Sequence, residues 1–164
     1  GKPAWKDIVA YFGKKVLLKD QTLNRKMLSR IIFAHEAKRR KLEEFIHPRI
    51  FDEYGVQLQQ LIAQRAVGII QVVIPLLFEA DLQFNFDKIL LVYIPEKVQI
   101  ERLMARDHLS RQRALEILQG QWPIDKKREC ADYIVDNSGS LLETRKQVRE
   151  IWEKLKKIKK TADR

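Results

Sequence analysis

The sequence predicts an α/β fold built on a parallel sheet. Two short runs, Val67 to Ile74 and Ile89 to Ile94, are apolar on both faces and rich in β-branched residues, which is typical of strands buried on both sides of a parallel sheet. A shorter run of the same kind spans Tyr133 to Val135, and segments with helical periodicity separate the last two runs. Strands that alternate with helices in this way favour an α/β sheet.

The composition is that of one charged globular domain. The 164 residues, 45% of them hydrophobic, suffice for one sizeable core, so we predict a single domain over residues 1–164. The net charge of +10 favours polyanionic partners such as nucleotides, coenzymes, nucleic acid or an anionic membrane surface. Cys130 is the only cysteine, which excludes an intramolecular disulfide and predicts a reducing compartment, the cytoplasm. The apolar runs are far shorter than the roughly 20 residues of a membrane helix, so no membrane partner is expected.

Helical patterns precede the first predicted strand. Apolar residues recur at helical spacing over Asp7 to Phe12, Leu23 to Phe33 and Ala37 to Arg65. The third pattern contains Pro48. Because proline lacks an amide donor and disfavours helix at the residue before it, we predict a break or kink at His47 and a new helix from Pro48.

Three more helices are predicted after the second strand. The segments Glu96 to Asp107 and Ser110 to Gln121 each carry apolar residues on one face. The last helix begins after Ser140, because Ser140 and Glu143 form an S-x-x-E capping box that satisfies free amides at a helix N-terminus.

Basic residues on and after the first of these helices suit an anionic ligand. Arg102 and Arg106 lie one helical turn apart, so both guanidinium groups leave the same face. Arginine stacks on bases and binds phosphate oxygens through paired hydrogen bonds, so such a pair can hold one nucleotide. A solvated helix face is the alternative. Lys126, Lys127 and Arg128 follow and can close over the same anion.

Polar residues follow two of the predicted strands. Asn137, Ser138 and Gly139 come directly after the third strand, where open α/β sheets bind ligands. An ordinary turn is the alternative for this tripeptide. Glu79 follows the first strand at the same edge, where it contacts substrate or caps the next segment.

Other functional classes are disfavoured. No histidine lies at metal-ligand spacing from a cysteine or another histidine, so we predict no protein-bound metal. The sequence contains neither G-x-S-x-G nor G-x-G-x-x-G, which disfavours hydrolases and dinucleotide-binding proteins.

Several segments taken together resemble the dephospho-coenzyme A kinase family, P-loop nucleotide kinases that phosphorylate the ribose 3′-hydroxyl of dephospho-CoA with ATP. The matching segments lie between Gly1 and about Trp152 in the family's order: GKPAWKDIVAYFG, Asn24-Arg25, His47-Pro48, PLLFE, ERLMARDHLSR and KR-x-x-ADYIVDNSG. The resemblance implies a three-layer P-loop kinase-like parallel sheet. It also implies a helical lid over about residues 107–130 and a helical insertion on the CoA side over about residues 13–66.

The resemblance further implies roles for individual residues. Arg106 and Arg128 are expected to stabilise the transferring phosphate, and Lys126, Lys127 and Arg128 to belong to the lid. The nucleotide contacts implied are Arg102, Arg106, Asn137, Ser138 and Gly139. The substrate contacts implied are Arg25, His47, Arg49, Leu77, Phe78 and Glu79. The expected partners are dephospho-CoA and ATP with its Mg²⁺, which no residue of this chain is expected to ligate. We expect no specific nucleic-acid partner, and a homo-oligomer is left open.

The chain departs from the family pattern at its beginning. The family starts with a strand and a G-x-x-x-x-G-K-[ST] loop, followed by a second strand ending in the aspartate that accepts the substrate proton, and the 164 residues contain neither. Since such loops hold the β- and γ-phosphates, we expect these residues alone to be a very poor kinase. The family's first strand would lie between the runs 67–74 and 89–94. A fragment, completion by another chain, or rearranged strand pairing would each explain the departure, and we favour a fragment.

Three alternative functions remain open at this point. A non-catalytic binding module would bind dephospho-CoA or nucleotides without ATP turnover. A nucleic-acid-binding protein is suggested by net charge only, because Trp5, Trp122 and Trp152 are scattered and form no evident stacking platform. A nucleoside-monophosphate kinase would share the arginine pair, but PLLFE and ADYIVDNSG favour the dephospho-CoA kinase family.

Overall fold

A computed structural model describes residues 3–64 and 68–162, without the side chains of Phe33 and residues 159–162. The chain divides into two compact units, residues 1–67 (unit 1) and 68–164 (unit 2). The predicted single domain, with a helical subdomain over about 13–66 and a lid over about 107–130, stays a prediction. None of the described helices is long and apolar enough to cross a membrane.

Unit 1 is helical, as its apolar periodicity predicts. Asn24 caps the second helix, because its side-chain oxygen accepts the amide of Met27 at 3.0 Å. The buried side chains of the unit 1 core come from all of its helices: Ile8, Phe12, Val16, Leu28 and Leu42. The helices are α1 (Pro3–Phe12), α2 (Arg25–Ala34) and α3 (Glu36–Ala63), with a 3-10 turn at Lys14–Val16.

The predicted break at His47 and the new helix from Pro48 are wrong, because α3 continues through Pro48, while the alternative of a kink stays a prediction. Proline has no amide to donate to the carbonyl four residues earlier, here that of Glu44. On either side of Pro48 the helix is held by tertiary contacts: Phe45 and Ile46 pack against the unit 1 core, and the guanidinium group of Arg49 bonds Asp7 on α1 at 2.5 Å and donates to the carbonyl of Phe45. These contacts outweigh the local preference of proline.

Unit 2 contains a parallel sheet, which confirms the predicted α/β class. Strand β1 (Leu90–Tyr93) pairs with β2 (Tyr133–Asp136), and the helices predicted between them are present. The crossover between parallel strands therefore consists of helices, as parallel connections require. The helices of unit 2 are α4 (Glu96–Asp107), α5 (Arg111–Gln119), α6 (Ile124–Glu129) and α7 (Leu141–Ala162), preceded by a 3-10 turn at Gln83–Asn85.

The strand predicted over Val67 to Ile74 is wrong for residues 68–74, and Val67 lies outside the described residues. A strand is defined by its hydrogen bonds to a neighbour, and no described segment pairs with residues 68–74. Ile70 is 40% exposed and Val73 is 81% exposed, although composition predicted burial. Composition shows that this segment suits a sheet, but pairing also requires a partner segment. The proposed absence of the family's first two strands stays a prediction.

Candidate active site

The carboxyl ends of β1 and β2 meet at one edge of the sheet. Tyr93, the last residue of β1, lies opposite Asp136, the last residue of β2. The amide of Asn137 donates to the carbonyl of Tyr93 at 2.8 Å, which extends the strand pairing by one residue. Open α/β sheets bind ligands just beyond this edge, so the predicted site residues of unit 2 are described relative to it.

Arg102 joins α4 to the loop after β2. Its Nη2 donates to the carbonyl oxygen of Asn137 at 2.9 Å. Two residues that the resemblance assigned to the nucleotide, one from α4 and one from the loop, therefore lie in contact. Because the Arg102 side chain is exposed and a guanidinium group has five N–H donors, further donors are available to an anion at this edge.

The loop 137–139 is ordered by its own side chains. The hydroxyl and amide of Ser138 donate to Oδ1 of Asp136 at 2.5 and 2.8 Å, and these bonds lower the pKa of Asp136, the hydroxyl bond having the larger effect. The hydroxyl of Thr144 donates to Oδ1 of Asn137 at 3.0 Å. This contact fixes the Asn137 amide and leaves its Nδ2 group as a donor.

The start of α7 holds the other side of the loop. Glu143 accepts the amide of Ser140 at 2.7 Å, and the hydroxyl of Ser140 accepts the amide of Glu143 at 3.3 Å, so the predicted capping box is confirmed. A Cβ at Gly139 would lie 2.6 Å from Oε2 of Glu143, so the cap and a side chain at this position would conflict. Gln147 pairs with both the amide and the carbonyl of Asp136 at 2.9 Å, in the manner of a neighbouring strand.

Arg128 lies over the end of β1. Its guanidinium carbon is 5.2 Å from the centre of the Tyr93 ring, a cation–π distance. The hydroxyl of Tyr93 donates to Asp125 at 3.1 Å. Burial, and then this bond to Asp125, raise the pKa of Tyr93. Arg128 at the end of β1 and Arg102 at the end of β2 therefore supply positive charge to adjacent points of the same edge.

Arg106 is placed differently from these two arginines. Its side chain is 73% exposed, and it forms two bonds with the adjacent Asp107, at 2.9 and 2.8 Å. The bond to Arg106 lowers the pKa of Asp107. An exposed pair of this kind exchanges readily with solvent and ions, so an anion can replace Asp107.

Glu79 and Lys127 bond each other. Oε1 of Glu79 lies 2.6 Å from Nζ of Lys127 and accepts the amide of Trp122 at 2.8 Å. The Glu79 and Lys127 side chains are 14% and 8% exposed. Burial acts to raise the pKa of Glu79, but the bonds from Lys127 and the Trp122 amide outweigh it, so the pKa lies below its ordinary value. The buried ring of Phe78 stacks on Trp122 with 5.9 Å between ring centres, and Leu77 is half-buried.

The three predicted substrate residues of unit 1 have different surroundings. Arg25 begins α2 and is exposed, and His47 is exposed on α3. Arg49 is engaged by Asp7 and by the carbonyl of Phe45. Of these three, Arg25 therefore offers a cation free of ion pairs within the described residues.

A cleft of 330 Å³ lies between the segment 74–78 and β1. Lys127 is the one charged residue among the residues that line it, which are otherwise mostly apolar. Such a lining does not suit phosphate groups. The charged edge formed by Arg102 and Arg128 is the better candidate for an anion.

Sequence reasoning missed several residues that shape this edge. Tyr93 and Asp136 are detectable in principle, because each lies within one residue of the end of a predicted strand. Asp125, Thr144 and Gln147 gave no signal, because their contacts depend on tertiary placement of polar groups that are common on any surface.

Comparisons with known proteins point to one family. A family model described as dephospho-CoA kinase matches residues 1–143. The chain is 42% identical over 158 residues to the dephospho-CoA kinase of Halalkalibacterium halodurans, with 96% of this chain and 78% of the relative covered. It is 41% identical over 148 residues to that of Listeria monocytogenes, with 90% and 74% covered.

Two solved structures share the fold. The dephospho-CoA kinase from Campylobacter jejuni superposes with a TM-score of 0.60 at 33% identity, covering 91% of this chain and 74% of that one. The crystal structure of TT1252 from Thermus thermophilus has a TM-score of 0.66 at 24% identity, covering 93% and 80%, and supports the fold alone.

Proposed function

Because the chain belongs to the dephospho-CoA kinase family, whose members are phosphotransferases of coenzyme A biosynthesis, we propose that it serves to transfer the γ-phosphoryl group of ATP to the ribose 3′-hydroxyl of dephospho-CoA. The observation that carries the proposal is the placement of Arg102 and Arg128 at the adjacent carboxyl ends of β2 and β1. This is the edge at which open α/β sheets bind nucleotides.

The nucleotide base and its sugar are assigned to the α4 and loop side of this edge. Arg102 is held by the Asn137 carbonyl and presents its guanidinium face and remaining donors. The Asn137 amide, oriented by Thr144, offers Nδ2 to an acceptor nitrogen of a base. Gly139 allows the Glu143 carboxylate to close the helix cap beside the loop, where a side chain would obstruct it.

The phosphates are assigned to Arg128 and Arg106. In the reaction the ribose oxygen forms a bond to the γ-phosphorus while the bond from that phosphorus to the leaving ADP oxygen breaks, and the hydroxyl proton is released to a base. Charge on the transferring group is the main quantity that protein residues must stabilise. Arg128 offers fixed positive charge, and Arg106 offers charge once Asp107 is displaced.

Mg²⁺ is proposed as part of the Mg–ATP substrate. Across residues 3–64 and 68–162 no cluster of three or more His, Cys, Asp or Glu residues suits a metal ion, so the described part of the chain does not fit a resident divalent cation. The residues here act on the phosphates of that substrate through positive charge.

The dephospho-CoA side of the proposal rests on unit 1. Arg25 is the residue there whose exposed cation suits a phosphate of the substrate, whereas Arg49 is already neutralised by Asp7. His47 is exposed and available for hydrogen bonding. We further propose a cytoplasmic location, where ATP is plentiful and the exposed thiol of Cys130 stays reduced.

A coupled assay tests the proposed function. The protein that carries these 164 residues, as its gene encodes it, is purified, its intact mass is measured, and ADP release is followed with ATP, Mg²⁺ and dephospho-CoA. We expect ADP release that depends on dephospho-CoA and yields a product phosphorylated on the 3′-hydroxyl. Saturable binding of dephospho-CoA with no such release would instead indicate a non-catalytic binding module, and faster turnover of a nucleoside monophosphate would indicate the neighbouring kinase class.

A further inference from the structure

We propose that Glu79 is a positioning residue, which fixes helix α6 and thereby places Arg128 at the end of β1. This inference rests on the proposed function, because it concerns the phosphate-binding side of the same site. It differs from the role that the resemblance implied for Glu79, a direct contact with dephospho-CoA.

Glu79 holds the α6 region at two points. One oxygen, Oε1, accepts the amide of Trp122, which lies just before the helix. The same oxygen lies 2.6 Å from the ammonium group of Lys127, which lies within the helix. A single carboxylate therefore fixes both the entry of the chain into α6 and the rotation of the helix about its axis.

The helix depends on such contacts because it is short. α6 comprises six residues, and isolated helices shorter than about 12 residues are marginal in water. Its side chains pack locally as well, since Nζ of Lys126 lies 3.7 Å from the centre of the Trp122 ring and Phe78 stacks on the same ring. The ion pair between Glu79 and Lys127 is the contact that joins α6 to a distant, oppositely charged side chain. We refer to this pair as the α6 anchor.

The anchor acts on Arg128 through helix geometry. Lys127 and Arg128 are consecutive, so their side chains leave the helix about 100° apart. With Lys127 turned inward to Glu79, Arg128 is turned outward and its guanidinium carbon lies over the Tyr93 ring. Loss of the pair frees the helix to rotate or fray, and Arg128 then loses its place at the strand end.

The second oxygen of Glu79 is enclosed as well. Oε2 is buried and has no hydrogen-bond partner among the described residues. Oε2 is therefore closed to a large substrate, while Oε1 already contacts Lys127 and the Trp122 amide within unit 2. This arrangement is that of a residue that acts through other residues.

The test compares Glu79→Gln, Lys127→Met, the double variant and a matched control in the protein as its gene encodes it. The control is Lys88→Met, because Lys88 pairs with Asp132 at 2.7 Å at the opposite, amino ends of the same two strands. Glu79→Gln keeps the shape of the side chain and an acceptor for the Trp122 amide, so it remains informative if Lys127→Met does not fold. Amide hydrogen exchange over residues 122–130 and steady-state kinetics are measured for each.

Both single variants are expected to increase amide exchange over residues 122–130. They are also expected to lower kcat by about 10- to 100-fold, as misplacement of a catalytic group does, with KM for dephospho-CoA changed by less than about twofold. The double variant is expected to match the single variants rather than multiply their effects, because both remove one interaction. Glu79→Asp is expected to restore part of the loss, and Lys88→Met to leave exchange over 122–130 and kcat unchanged.

Two results would overturn the positioning role. The first is a raised KM for dephospho-CoA with unchanged kcat in Glu79→Gln but not in Lys127→Met, which would make Glu79 a substrate contact. The second is unchanged exchange over residues 122–130 in both single variants. If the unmodified protein shows no turnover that depends on dephospho-CoA, the proposed function fails, while the exchange result still decides whether Glu79 fixes α6.

Discussion

The two ends of the predicted lid, residues 107–130, are held in opposite ways. At the α6 end the Lys127 side chain is 8% exposed and pairs with Glu79, far away in the sequence. At the α4 end the Arg106 side chain is 73% exposed and pairs with its neighbour Asp107. A buried pair is costly to break because one charge is left without a partner in a medium of low dielectric, whereas a surface pair exchanges with water and ions at little cost.

This difference separates the two arginines proposed for the phosphates. Arg128 is carried by an anchored helix and is placed before any ligand binds. Arg106 is carried by the end of α4, where His108 adopts a left-handed conformation (φ 53°) and ends the helix, and its ion pair can be replaced by a phosphate. We therefore expect closure over a nucleotide to involve residues 107–110 and α5 more than α6.

Replacement of Arg106 by alanine is the change expected to have the largest effect. Removing one group that stabilises charge in a transition state typically lowers kcat by about 100- to 1000-fold, and we expect a loss of this order. The melting temperature is expected to stay unchanged, since the Arg106 side chain is mostly exposed and its pair with Asp107 is a surface pair. The measurement is kcat with saturating ATP and dephospho-CoA.

The control for this variant is Arg149→Ala, which removes an exposed arginine of α7. Its kcat is expected to equal that of the unmodified protein. Equal kcat values for Arg106→Ala and the unmodified protein would remove the role given to Arg106 and, with it, the contrast between the two ends of the lid.

Periodicity and strand composition predicted the sheet and most helices of this chain. β1, β2 and α4 lie where the sequence placed them, because their apolar patterns agree with their tertiary surroundings. Prediction was wrong where tertiary contacts override local preference. Packing of Phe45 and Ile46 in the unit 1 core and the bond of Arg49 to Asp7 hold α3 together through Pro48. Residues 68–74 find no pairing partner among the described segments despite their β-branched composition.

Sequence reasoning grouped two residues of the candidate site but did not reveal the contacts around them. Strand order placed Asn137 at the carboxyl edge, the family resemblance assigned Arg102 and Asn137 to the same ligand, and the structure shows the two in contact. No local pattern shows that Lys127, among three consecutive basic residues, is the buried one, because that depends on the distant Glu79. A contact across more than forty sequence positions lies beyond what spacing and periodicity reveal.

Replacement of Lys127 by methionine is expected to destabilise the folded protein by about 2 to 3 kcal/mol, somewhat less than the about 3 to 5 kcal/mol typical of a broken buried pair. The expected loss is smaller than the typical one because the Trp122 amide still donates a hydrogen bond to Glu79 in this variant. The measurement is the free energy of unfolding in urea. Asp107→Asn, which breaks the surface pair, is the matched variant, and its urea midpoint is expected to stay unchanged.

A larger destabilisation by Asp107→Asn than by Lys127→Met would reverse the comparison, because it would make the surface pair the structural one. Equal, negligible effects of both variants would show that α6 is held by the Phe78 and Trp122 rings alone.

Acid is expected to weaken the contact between Glu79 and α6, with a smaller effect on stability than the replacement of Lys127. Burial acts to raise the pKa of Glu79, and the bonds from Lys127 and the Trp122 amide overcome this and hold it below its ordinary value of 4.5. A carboxyl group whose pKa is lower in the folded than in the unfolded state binds its proton more readily when unfolded. Its stabilising contribution is therefore complete above about pH 4.5 and is lost as the pH falls through the folded-state pKa.

The measurement that isolates this contribution is the difference in unfolding free energy between the unmodified protein and Glu79→Gln, followed from neutral to acidic pH. Other carboxyl groups, including Asp107 and Asp132, titrate in both proteins and cancel from the difference. The difference is expected to be constant above about pH 4.5 and to shrink below it. A difference that stays constant into acid would show that the charge of the Glu79 carboxylate does not stabilise α6. The position of α6 would then depend on the shape of the Glu79 side chain and on the packing of the Phe78 and Trp122 rings.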